Sequence, residues 1–172
     1  MKSKDIAKSI GLLPQNSVAP EGITVAELVT RGRFPYRKFM CSLTSEDYAA
    51  VKEAMESMKI CDLADRSIDE LSGGQRQRVF IALALAQQTD ILFLDEPTVA
   101  LDPQVRRKIW ELIQNLKSRG ITIILTTHYI EEAEFLCDRV AILNIGKLVA
   151  LDTTKNLCKG KSLEEIFIQL TN

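Results

Sequence analysis

The chain has 172 residues, 46% hydrophobic and 26% charged, which is the balance of a folded protein with room for one core and a small subdomain. A formal net charge of -1 offers no basic field to gather nucleic acid or anionic lipid. The longest apolar run, Val79 to Ala86, is far short of the roughly 18 residues that cross a bilayer, so the chain has no transmembrane segment of its own and any membrane role is peripheral.

Met1 to Lys8 carries positive charge with no apolar stretch behind it, which predicts no secretory signal and a cytoplasmic protein. Cys41, Cys61, Cys137 and Cys158 are scattered and the chain has one histidine, so neither a zinc site nor a disulfide framework is expected; the thiols read as reduced and mostly structural. Ile10 to Leu13 predicts a strand that runs into a loop at Pro14-Gln15-Asn16. From there to about residue 70 the pattern is helical. Thr24 with Glu27, the Ser45 to Asp47 segment beside Thr44, and Ser67 with Glu70 each place a hydroxyl ahead of an acid, the arrangement that satisfies free amides at helix starts. Tyr48, Val51, Met55 and Met58 share helical spacing and predict one buried face.

Gly73 to Gln88 is apolar nearly all round after Arg78, as expected of a helix packed inside. Ile91 to Leu94 reads as a strand covered on both faces, ended by Asp95-Glu96-Pro97. Asp102 caps and Pro103 opens the next helix, with Val105, Ile109, Leu112, Ile113 and Leu116 in one stripe and Gly120 stopping it. Ile121 to Leu125 predicts another buried strand, and Tyr129 to Leu136 a helix. Arg139 to Leu143 and Lys147 to Leu151 predict a hairpin around Asn144-Ile145-Gly146, and Ser162 to Leu170 a closing capped helix. Strand and helix alternation in the middle implies an α/β fold with a parallel sheet.

Chemistry concentrates at a few places. Leu71-Ser72-Gly73-Gly74-Gln75 puts a serine cap and two glycines at a helix start, where free amides and the helix dipole suit an anion and the glycines admit a phosphate close to the backbone. Taken alone, Ser-Gly-Gly reads as an ordinary turn and cap. Asp95 and Glu96 place two carboxylates at the carboxyl end of a buried strand, where α/β folds bind ligands, although a solvated acidic turn gives the same sequence. His128 follows Ile123 to Thr127 at another strand end, but a lone histidine is more often structural.

Followed by Arg76-Gln77-Arg78, the Leu71 to Gln75 pentapeptide resembles the signature sequence of ABC ATPases, and the other motifs follow in that family's order over essentially the whole chain. The resemblance implies an α/β P-loop NTPase of the ABC type, incomplete: a helical subdomain plus the C-terminal part of the parallel-sheet core, with the P-loop strand absent. It implies ATP and Mg2+ as ligands, with Asp95 helping to hold the metal through water and Glu96 orienting or deprotonating the attacking water. His128 resembles the switch histidine that contacts the γ-phosphate. Val99 to Asp102 resembles the D-loop, compatible with Asp102 also being a helix cap, and Gln15 the Q-loop glutamine that senses Mg2+. With Ser72, Gly73, Gly74, Gln75 and Asp102 these are the expected nucleotide-site residues. The implied division is 1–15 strand and start of the Q-loop, 16–88 helical subdomain, 89–152 α/β core, and 153–172 C-terminal helices. The implied partners are membrane permease subunits and a second ATP-binding subunit in a head-to-tail dimer, on the inner face of the cell membrane.

No Gly-x-x-x-x-Gly-Lys-Ser/Thr segment occurs. Gly160-Lys161-Ser162 imitates its end, but Lys155 stands where the first glycine belongs, so this reads as a decoy beside a cap. A missing central strand predicts open sheet edges, uncovered apolar surface and self-association or a partner. Residues 10 to 16, 23 to 35 and 71 to 78 look like iron-siderophore and vitamin B12 importers. From Asp102 onward, Thr126 to Glu134 and Ser162 to Phe167 look more like exporters, which suggests a recombined or truncated gene joined near Pro97 to Asp102. The function expected is an ATPase subunit of iron-siderophore-type import, itself inactive without the P-loop. The alternative is a non-hydrolytic module that docks on a permease or completes a partner's ATP site.

Overall fold

A computed structural model describes residues 3–37 and 42–171, and divides the chain into two compact units, one up to Thr126 and one from Thr127. Met1, Lys2 and Cys41, which entered the localisation and thiol readings, lie outside the described residues.

The first unit opens with helix α1 (Ser3–Ser9), which sequence patterning did not signal, and passes directly into strand β1 (Ile10–Leu13). Two short helices follow, α2 (Val25–Thr30) and α3 (Ser45–Ser57), each begun by a formed capping box: Thr24 with Glu27, and Thr44 with Asp47. Ser67 instead opens a single 3-10 turn, Ile68–Glu70, its hydroxyl accepting from the Asp69 amide. Helix α4 (Gly73–Leu85) ends three residues earlier than the apolar run suggests, because Gln88 takes a positive φ of 49° that leaves the helix path. Strand β2 (Ile91–Asp95), helix α5 (Pro103–Ser118) and strand β3 (Thr122–Thr126) complete the unit.

The three strands form a parallel sheet in the order β1-β2-β3, with Leu12 level with Phe93 and Phe93 level with Ile124. Pleating sends alternate residues to opposite faces. Leu13, Leu92 and Leu94 are buried on one face, the side where α4 meets β1. On the other, Ile10, Leu12 and Ile124 are 40%, 55% and 46% exposed. Two expectations therefore need correction. Strand β2 is not covered on both faces, since Ile91 and Phe93 are only half-buried, and β3 is not a buried strand at all. Apolar runs register residue chemistry, whereas burial needs a covering layer, and β3 is the sheet's edge.

Between these elements lies a helical core of Val25, Leu28, Val29, Ala50, Val51, Met55, Met58, Ile81 and Ile109. Tyr48 departs from the predicted α3 face: it is 61% exposed and lines a groove with Ile23, Ala26 and Phe34, its ring lying beyond the reach of the buried stripe. Arg33, nearly fully buried, pairs with Asp47 at 2.8 Å, donates to the carbonyl of Ala86 at 2.8 Å and lies 4.1 Å over the Tyr36 ring. Tyr36 in turn donates to the Gln87 carbonyl at 2.7 Å, so the carboxyl end of α4 is held by two side chains. The Thr44 amide, and after it the Arg33 guanidinium, hold the Asp47 carboxyl below the usual carboxylate range.

The second unit contains α6 (Ile130–Leu136), the antiparallel hairpin β4 (Arg139–Asn144) and β5 (Lys147–Thr153), α7 (Thr154–Cys158) and α8 (Leu163–Thr171). The hairpin turns on Ile145 and Gly146, both at positive φ, the geometry of the mirror-image turns that suit strand twist. Ser162 and Glu165 cap α8 reciprocally, and Lys155 sits in α7, so the Gly160-Lys161-Ser162 segment is a helix junction. Cys61 is exposed and Cys137 and Cys158 half-buried, and none of the three is in a disulfide. Among the described residues no helix is long and apolar enough to cross a membrane.

Candidate functional site

The acidic pair lies where three chain segments converge. Strand β2 ends at Asp95, and the chain turns sharply at Glu96, which holds a positive φ of 47°. For a residue with a Cβ that conformation costs about 1 kcal/mol or more, and it is sustained by a backbone bond: the Glu96 amide donates to the Thr126 carbonyl at 3.0 Å. Gln15, two residues past β1, donates from Nε2 to Glu96 Oε2 at 2.7 Å across 81 residues of sequence. Thr126, at the end of β3, donates its hydroxyl to Asp95 Oδ1. The ends of all three parallel strands thus meet at two carboxylates. Sequence reasoning passed over Thr126, whose one signal is its position in register with Asp95, two places before His128.

Among the described residues no cluster of three or more histidine, cysteine or acidic side chains is assembled that could hold a metal ion. Two carboxylates with one carboxamide oxygen suit a hard cation that brings most of its own oxygen ligands, as Mg2+ does when it arrives on phosphates with several waters. That donor set fits the metal implied by the sequence.

A second cluster forms at the amino end of α4. Ser72 caps it: its hydroxyl accepts from the Gln75 amide at 3.4 Å while Gln75 Oε1 accepts from the Ser72 amide at 3.0 Å. This box occupies the amides of Ser72 and Gln75 and leaves those of Gly73 and Gly74 out of it, at the positive end of a helix of 13 residues. The two glycines have different reasons to be glycine. Gly73 is exposed, and a Cβ there would meet only Leu101 Cδ2 at 3.5 Å. Gly74 is buried, and its Cβ would lie 2.3 Å from Val105 Cγ1, so close approach of α5 by itself requires glycine there. The expectation that both glycines serve phosphate approach is thereby narrowed: Gly73 keeps that reading, and Gly74 answers first to packing.

Leu101 belongs to the segment predicted as a D-loop, and Val105 to helix α5 that follows it. Ala100 takes a positive φ of 59°, and Asp102 accepts from the amides of Gln104 at 3.1 Å and Val105 at 3.0 Å, capping α5 as expected. Within one unit, Leu101 thus lies beside Gly73 and Val105 beside Gly74. His128 belongs to the other unit. It is exposed, its ring 4.1 Å from that of Tyr129, and Tyr129 begins α6 with its amide donating to Thr127 Oγ1 at 3.0 Å.

Comparison with known proteins bears on these clusters. The family described as ABC transporter matches residues 1–99. The ferric enterobactin transport ATP-binding protein of Escherichia coli is 42% identical over 96% of this chain and 61% of its own length. Nod factor export ATP-binding protein I of Burkholderia lata is 39% identical over 87% of this chain and 48% of its own. Among solved structures, cbiO1 from Clostridium perfringens, part of the ABC transporter complex cbiONQ, superposes with a TM-score of 0.78 at 28% identity, over 96% of this chain and 66% of that one. The chain spans about three-fifths, or less, of the length of these curated relatives.

Proposed function

Because the chain belongs to the ABC transporter family, we propose that it supplies the water-activating and signature portions of an ATP-hydrolysing subunit that energises iron-siderophore-type import. The observation that carries this reading is the hydrogen bond from Gln15 to Glu96 at 2.7 Å, which joins the loop after β1 to the acid that follows β2. MgATP, when bound, supplies the phosphoryl group and the cation's charge. Glu96 would take the proton of the attacking water, and Asp95 would help to hold the metal through water. Gln15, already bonded to Glu96 through its amide nitrogen, would offer its carboxamide oxygen to the metal and so link the site to the loop after β1. The Gly73 amide at the amino end of α4 and the Ser72 hydroxyl face a γ-phosphate carried by a second ATP-binding subunit, and Asp102 meets that subunit's site. His128 would serve as the switch histidine that contacts a γ-phosphate.

In this reading residues 16–88 act as the helical subdomain and 89–152 as the core. Permease subunits anchor the assembly to the inner face of the membrane. Identity of 42% to the enterobactin relative supports siderophore import over export.

A second reading has one specific observation in its favour: the Ser72 to Gln75 and Val99 to Asp102 segments lie within a single unit, with Leu101 beside Gly73. The chain would then complete a partner's ATP site without hydrolysing at its own. Phosphate release by this chain joined to a P-loop-bearing segment, measured with an intact ABC subunit as partner, separates the two. The first reading expects stimulated hydrolysis that drops by about 100-fold or more with Glu96→Gln in this chain. Stimulation that survives Glu96→Gln but is lost with Ser72→Arg overturns the first reading in favour of the second.

A further inference from the structure

We propose that Thr126 is the positioning residue for the acidic pair: one residue of β3 sets the aim of Asp95 through its hydroxyl and the turn at Glu96 through its carbonyl. The inference rests on the reading of Asp95 and Glu96 as the metal-associated and water-activating acids. Asp95 and Thr126 are level in the parallel register, so their side chains leave the same face of adjacent strands as cross-strand neighbours. The hydroxyl donates to Asp95 Oδ1. A hydrogen bond to an ionised acceptor is roughly twice as strong as one between neutral groups, and this one fixes one carboxylate oxygen while leaving the other to a ligand. The Thr126 carbonyl accepts from the Glu96 amide at 3.0 Å and holds the left-handed turn that points Glu96 away from the strand's alternation.

The bland account of Thr126 is a β-branched residue filling a strand end. Its exposure argues against that account, because an exposed side chain contributes little to packing. The hydroxyl is the part of the side chain that the structure engages. Outer residues that orient ligating carboxylates typically carry 10- to 100-fold of metal affinity, although they never touch the metal.

Thr126→Val keeps the β-branch and the carbonyl and deletes only the donor; Thr126→Ser restores it. Scalar couplings to the Asp95 β-protons in the isotope-labelled chain report χ1 without nucleotide or metal. The expected result is a single Asp95 rotamer in the natural chain and in Thr126→Ser, and an averaged one in Thr126→Val. A single unchanged rotamer in Thr126→Val overturns the proposal. Titration with Mn2+ alone, read as broadening of the Asp95 and Glu96 amides, forms the second arm. Thr126→Val should need about tenfold more Mn2+ for equal broadening, and wild-type sensitivity overturns the proposal. Asp95→Asn should abolish the broadening; if it does not, the metal reading of Asp95 fails while the rotamer arm still decides the role of Thr126. Should the valine chain lose its amide dispersion, Thr126→Ala read against Thr126→Ser decides in the same terms.

Discussion

Replacing Gly74 by alanine tests whether the signature helix is glycine-bearing for packing or for ligand access. The added Cβ would stand 2.3 Å from Val105 Cγ1 and 3.5 Å from Val105 Cβ, so the clash is with one branch of one side chain. Overpacking of this kind costs about 2 kcal/mol, partly offset by alanine's better helix propensity, worth up to about 1 kcal/mol. Gly73→Ala meets nothing closer than 3.5 Å and gains the propensity term alone, so it should range from neutral to slightly stabilising. Val105→Ala, which deletes both half-buried methyl branches, should cost about 1 kcal/mol by itself. With those branches gone the nearest atom to the new Cβ is Val105 Cβ at 3.5 Å, ordinary contact, so Gly74→Ala on that background should keep only the propensity gain of up to about 1 kcal/mol. The expected coupling is about 2 kcal/mol in favour of the double variant. Urea unfolding followed by circular dichroism resolves it, since at a slope near 2 kcal/mol/M a loss of that size moves the midpoint by about 1 M. Equal cost of Gly74→Ala on both backgrounds would refute the packing argument.

Asp102→Ala removes the acceptor for the Gln104 and Val105 amides and should cost about 1 kcal/mol by urea midpoint, while Asp102→Asn should cost clearly less. Ile145 occupies a left-handed turn position with its side chain almost wholly exposed; Ile145→Asn, thermally melted beside the natural chain, should stabilise the hairpin unit by about 1 kcal/mol. Asp47→Asn leaves the buried Arg33 guanidinium uncompensated and should cost about 3 kcal/mol at pH 7. Because the folded-state pKa of Asp47 is depressed, its contribution is full above the ordinary aspartate value of about 3.9 and is lost as pH falls further. The stability gap between Asp47→Asn and the natural chain should accordingly close below about pH 4 and stay constant above about pH 5, as read from urea midpoints across pH.

Local chemistry made much of this molecule legible. Thr24 with Glu27 and Asp102 with Pro103 announce helix starts because cap and partner lie within one turn of sequence, and each forms the bonds its spacing implies. The strands of the parallel sheet and the hairpin around Ile145 and Gly146 were equally plain from apolar runs and turn residues. What sequence withheld was set by neighbours far along the chain. Thr126 acts on a carboxylate 31 residues away and Gln15 on one 81 residues away, separations at which no periodicity speaks. Ile123 to Leu125 has the composition of a buried strand, yet it is half-exposed at the edge of the sheet formed by the described residues. The motif at Ser72 to Gln75 was visible, while the reason for its second glycine was not, because Val105 arrives from the next helix.

Helix α4 is restrained at both ends. Arg33 and Tyr36 grip its last carbonyls, Gly32 abuts the Leu83 carbonyl with no room for a methyl group, and Gly74 is wedged under Val105 at the first turn. Its 13 residues span about 20 Å, with no glycine or proline past the first turn to absorb bending. Such a rod has no slack joint: a tilt imposed where Arg33 holds it arrives undiminished at Ser72, as the two ends of a tiller move together.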